Sequence, residues 1–109
     1  MTAAVRKRTV AVAATAEETQ ELARVASLTS LIAALKAPGE RTREQFSALF
    51  AKAQRVFELD DIEVARALHI SRPTVGRWAR GESAPHTLGR KPALLWLARQ
   101  GAHKLTQHG

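Results

Sequence analysis

Apolar positions along the chain recur at intervals of three and four, the spacing that lines one face of an α-helix. Leu22, Val25, Leu28, Ile32 and Leu35 draw the first stripe, opened by Thr15-x-x-Glu18 and stopped by Ala37-Pro38-Gly39. The opening is a capping-box pattern, in which each side chain satisfies the other residue's backbone N–H. A second opening of this kind, Thr42-x-x-Gln45, precedes Phe46, Leu49, Phe50, Ala53, Val56 and Phe57. That stripe holds every phenylalanine of the chain and is expected to be the main wall of the core. In the first stripe Thr29 interrupts the heptad, which favours packing on its own domain over a dimer seam.

Shorter patterns follow. In Leu59-Asp60-Asp61-Ile62-Glu63, Asp60 fits as an N-cap with Glu63 three residues on; the glycine turn and further ligands of a calcium loop are lacking. Val64, Ala65 and Leu68 share one face of a short helix, Ile70 falls at a turn, and Val75 and Trp78 share a face of the next helix. The small Ala65 lets the second helix cross closely. Past Gly81 a loop leads to a final helix with Leu94, Leu95, Trp96 and Leu97 as its apolar bulk, and Arg90 and Lys91 stand ahead of it. No run alternates apolar with polar residues over strand length, so the expected fold class is all-α. The expected divisions are a flexible basic arm over 1–14, an amphipathic helix over 15–37, a domain over 42–101 and a polar tail over 102–109.

Composition narrows the function. With 109 residues, 45% of them hydrophobic, the chain suits one domain plus an extra helix or tail. The absence of cysteine rules out disulfides and thiolate metal sites and makes the cytoplasm the default compartment. The small-residue run near the start is too short and alanine-rich for a secretory signal, and no stretch approaches the roughly 20 apolar residues of a membrane span. Charge is more telling: residues 1–65 carry nine basic and nine acidic side chains, residues 66–109 eight basic and one acidic. The whole excess of +7 therefore lies in the second part. Such asymmetry suits a polyanion, nucleic acid before acidic membrane, with a solvated basic face as the bland alternative. An enzyme is disfavoured, since there is no glycine-rich phosphate loop or nucleophile motif. Nor do His69, His86, His103 and His108 combine with acids at metal-ligand spacings. Neither cofactor nor metal is expected.

The segment "VARALHISRPTVGRWARGESAP", Val64 to Pro85, with its Trp78, Gly81 and Pro85 exit, resembles the DNA-binding domains of phage Cro and repressor proteins, the XRE-like family. The resemblance covers about Thr42 to Gln100. It implies a lambda-repressor-like helix-turn-helix domain, here with an additional N-terminal helix, whose second motif helix enters the major groove. On that helix Ser71 caps the start and Pro73 lies in the first turn, where a missing N–H costs nothing. Arg72, Thr74 and Arg77 take the exposed side as candidate base readers, because a guanidinium matches O6 and N7 of guanine and a threonine suits several base edges. Gly76 either allows close approach to a phosphate or base edge, or makes a tight contact with the preceding helix. Arg80 meets DNA or complements the helix dipole, and Gly81 fits a left-handed stop. Arg90 and Lys91 touch the phosphate backbone or are plain surface charge. Trp78 and Trp96 are expected in the core.

Two positions depart from the family pattern. His69 stands where a turn glycine is common, and Asp61 where a glutamine often grips a phosphate. The function implied is a sequence-specific, double-stranded-DNA-binding transcriptional regulator: a cytoplasmic repressor, nucleoid-associated when bound, acting as a homodimer on an inverted repeat. The dimer seam is left open between the Leu22 to Leu35 stripe and the Leu94 to Leu97 helix. Arg6-Lys7-Arg8 of the arm either reaches the minor groove or is idle. The alternative is a protein-binding module on the same scaffold, an antitoxin or antiactivator, toward which the acidic Asp61 points.

Overall fold

The computed structural model describes residues 15–108, and the arm expected over 1–14 lies outside them. Five helices follow in order among the described residues: α1 (Ala16–Lys36), α2 (Arg43–Val56), α3 (Asp61–Leu68), α4 (Arg72–Arg80) and α5 (Thr87–His108). The chain is all-α over these residues, with no strand.

Local chemistry sets most boundaries. Thr42 and Asp60 form complete capping boxes with Gln45 and Glu63. At α1 only half the expected box is made. Thr15 Oγ1 accepts from the Glu18 N–H at 3.1 Å, while the Glu18 carboxylate takes the Thr15 hydroxyl proton at 3.2 Å. The end of α1 is closed by Arg41, whose guanidinium donates to the carbonyls of Ala34, Ala37 and Gly39 at 2.9 to 3.1 Å. The Ala34 carbonyl also takes the Ala37 N–H at 3.4 Å, so the guanidinium adds charged donors to the carbonyls at and beyond the helix end.

The last helix departs from the sequence expectation at both ends. It begins at Thr87, so Arg90 and Lys91 lie inside its opening turns, not ahead of them. It continues to His108 where a polar tail was expected over 102–109. Pro92 lies inside this helix as its sixth residue and forfeits the bond to the Leu88 carbonyl. At the other end Leu105 is half-buried against the core and holds the extra turns in place.

Phe46, Phe50 and Ala53 of α2 and its C-cap Phe57 form the central wall, as their spacing predicts, with Leu49 and Val56 half-buried beside them. Helices α1 and α5 pack side by side and antiparallel. Leu28 shares a surface hollow with Lys104, and Ile32 another with Leu95 and Ala98, so the order reverses. The Phe57 ring fills the place a side chain at Gly101 would need: a Cβ there would lie 2.7 and 2.8 Å from Cε2 and Cε1. Leu94 and Leu97 are fully buried, which removes them as a dimer seam. The α1 stripe is only partly internal. Its buried members are Leu28, Leu31 and Leu35, whereas Leu22 is 71% and Val25 38% exposed.

Candidate nucleic-acid interface

Helix α4 is held by its apolar side and offers its basic side to solvent. Val75 is buried completely, and the Trp78 ring meets Phe46 and Phe50 edge-on at centroid separations of 5.6 Å. Trp96 is half-buried against the same core. One buried polar contact fixes the helix exit: Ser47 Oγ of α2 donates to the Trp78 carbonyl at 2.7 Å. Gly81 then takes φ 79°, and a Cβ there would come within 3.3 Å of the same Ser47 hydroxyl. Glycine is thus needed twice at this place, for the left-handed turn and for the close approach. Ser47 was not singled out from the sequence, where nothing distinguishes a serine inside an apolar stripe from a solvent-facing one.

The entry to α4 is equally defined. His69 adopts the left-handed conformation at φ 57° and ψ 46°, which only glycine takes without steric cost. Ser71 caps the helix by accepting from the Thr74 N–H at 3.2 Å, and Pro73 occupies the second helical position. A chain of side-chain contacts starts from this cap. Ser71 Oγ and Thr74 Oγ1 are 2.7 Å apart, and Arg77 Nη2 donates to Thr74 Oγ1 at 3.1 Å. Arg77 is therefore oriented by Thr74 while its Nε and Nη1 make no hydrogen bond or ion pair among the described residues. Arg72 is exposed and makes no hydrogen bond or ion pair among them.

Arg72, Pro73, Gly76, Arg77 and Arg80 border one open cleft of about 470 Å³, together with Asp61 of α3. Gly76 faces this cleft. The nearest atoms to a Cβ there belong to the Arg80 guanidinium, with Nη1 at 3.0 Å, and not to α3. Arg80 is paired with Glu82, Nε to Oε2 at 2.6 Å, with both side chains more than half exposed. The hydrogen bond and charge of Glu82 raise the Arg80 pKa, and the hydrogen bond from Arg80 holds the Glu82 carboxyl below its ordinary value. Asp61 Oδ1 accepts from Gln54 Nε2 at 2.6 Å, so its carboxylate is engaged by α2 at the edge of the cleft.

The two basic residues of α5 separate in role. Lys91 is exposed. Arg90 is half-buried, and its Nε and Nη1 donate to the carbonyls of Pro85 at 3.0 Å and Arg41 at 2.9 Å. It joins the loop before α5 to the start of α2. Among the described residues no three His, Asp or Glu side chains come together as a metal site, and no helix is long and apolar enough to cross a membrane. Comparison of the chain with protein-family models, with curated proteins and with solved structures gives no match in any of the three.

Proposed function

We propose that the protein is a sequence-specific DNA-binding transcriptional regulator, a repressor that occludes its promoter as a homodimer on an inverted repeat. The observation that carries this reading is the geometry of α4. Its Val75 and Trp78 side is locked in an aromatic core while Arg72 and Arg77 stand exposed along one open cleft, with the half-buried Thr74 bonded to Arg77. A helix rigidly seated and basic on its outer face is what direct readout in a major groove requires. On this reading α3 and α4 are the two helices of a helix-turn-helix, with Arg72 and Arg77 reading bases and Ser71, Gly76, Arg80 and Lys91 along the phosphates. Arg90 contributes by holding the loop that leads into α5. The protein acts in the cytoplasm at the nucleoid, binds without a cofactor and is not an enzyme.

A second reading has its own observation. Asp61 borders the arginine cleft and Glu82 neutralises Arg80, so two carboxylates stand where phosphates would approach. This charge pattern suits a protein-binding module whose partner presents both signs. Fluorescence anisotropy separates the two, using duplex from the protein's own upstream region and a scrambled duplex across a salt series. The DNA reading expects a preference of about 10³-fold or more for the native sequence. Weak, equal binding that disappears with salt would leave only nonspecific attraction and favour a protein partner.

A further inference from the structure

Heptad spacing on α1 marks a face that the fold leaves uncovered. Glu18, Leu22, Val25, Thr29, Ile32 and Lys36 succeed one another at alternating intervals of four and three, the spacing of a coiled-coil seam. The core draws instead on Leu28, Leu31 and Leu35, on an adjoining side of the same helix. Glu18, Leu22, Val25, Thr29 and Lys36 are exposed, and Ile32 is half-buried. The Thr29 hydroxyl donates to the Val25 carbonyl at 2.8 Å, so its polar group is satisfied within the helix. Next to this seam, Ile32 and Lys36 border an open hollow of about 230 Å³ with Leu95, Ala98, Arg99 and Ala102 of α5.

We infer that two copies of the chain pair through this face, with α1 of one copy antiparallel to α1 of the other. Charge decides the orientation. In a parallel pair identical positions meet, which sets Glu18 against Glu18 and Lys36 against Lys36, both repulsive. In the antiparallel pair about a two-fold axis Glu18 meets Lys36, Leu22 meets Ile32 and Val25 meets Thr29, each contact made twice. This register also sets Leu22, the most exposed large apolar residue of α1, over Ile32 of the second copy, at the hollow lined by Leu95, Ala98 and Ala102. A knob without a hole and a hole without a knob are thereby matched.

This inference adds to the DNA reading the surface through which two copies join, and its test uses no DNA, so either can fail without the other. Light scattering on the purified chain over a dilution series is expected to give twice the 11.9 kDa chain mass. Leu22→Asp is expected to give the single-chain mass with an unchanged helical circular-dichroism spectrum, since Leu22 supports nothing inside the monomer. Glu18→Lys and Lys36→Glu are each expected to raise the dimer Kd about tenfold, and the double reversal to restore it. Orientation is read by mixing a Leu22→Cys chain with an Ile32→Cys chain, which should form the mixed disulfide in preference to either like pair. A wild-type chain of single-chain mass throughout the series, or a Leu22→Asp chain of dimer mass, overturns the seam. A double reversal weaker than both singles shows that the charges act only on helix stability, and a predominant Leu22→Cys like pair overturns the antiparallel arrangement.

Discussion

Arg77 depends on a neighbour that looks, in sequence, like its equal. Thr74 Oγ1 accepts from Arg77 Nη2 and is itself tied to Ser71, the N-cap of α4. Ordering the guanidinium before contact reduces the entropy that a long side chain loses on binding. On the DNA reading Arg77→Ala should therefore cost about 1 to 3 kcal/mol on the true site and relax preference at one base pair. Thr74→Val keeps the shape and loses the hydroxyl, and should cost about 1 kcal/mol with the same base still preferred. Anisotropy on the operator and its single-base variants checks both; equal loss on every sequence after Arg77→Ala would demote it to a phosphate contact. Backbone strain at His69 is a separate matter. An L-residue at φ 57° carries a steric cost that glycine avoids, so His69→Gly should raise stability by about 0.5 to 1 kcal/mol, read from the denaturant midpoint.

Neighbours in sequence can serve different elements, as Arg90 and Lys91 show. Both read from sequence as basic residues before a helix, yet Arg90 spends its guanidinium on the Pro85 and Arg41 carbonyls while Lys91 stays exposed. Arg90→Ala should lower stability by about 1 to 3 kcal/mol, since the half-buried Arg41 carbonyl loses a charged donor. Lys91→Ala should leave the Tm in place and, on the DNA reading, flatten the slope of log affinity against log salt by about one unit. An unchanged slope would remove Lys91 from the interface. The same contrast explains what the sequence disclosed. Caps at Thr42, Asp60 and Ser71, the left-handed Gly81 and the phenylalanine wall are products of short-range spacing, and all could be placed from it. The Ser47 bond to Trp78 and the continuation of α5 beyond Gly101 depend on residues distant in the chain, whereas the Arg41 closure of α1 is local but follows no capping pattern. The exposure of Leu22 and burial of Leu31 have the same origin, because the rest of the fold covers one side of α1, with Leu31 beside Leu49 and Val56 of α2, and not the side of Leu22. Glu58 at φ 55° also carried no signal, for it lies in a two-residue turn set by how α2 meets Leu59.

At the scale of the molecule, the excess charge of residues 66–109 is less uniform than its sum implies. The one acidic residue of that part, Glu82, is placed on Arg80 at the edge of the α4 cleft. The ion pair is exposed and contributes little to stability, so its consequence lies in the field that an approaching polyanion meets. Arg80 bound to Glu82 presents a neutral pair; Arg80 released presents one more cation beside Arg72 and Arg77. Glu82→Gln should therefore strengthen binding to scrambled and native duplex alike and steepen the salt dependence by about one unit, with no change in base preference. Acid provides the same change without mutation. The carboxyl of Glu82 is held below its ordinary value by the Arg80 hydrogen bond. The pair is thus intact above the ordinary glutamate range and is lost as pH falls through the lowered value. Wild type in that acid window should approach the salt slope of Glu82→Gln, while the variant itself shows no matching transition. If the slope of wild type is already that of Glu82→Gln at neutral pH, then DNA displaces the glutamate on binding, and Arg80 is a phosphate ligand despite its partner in the free protein.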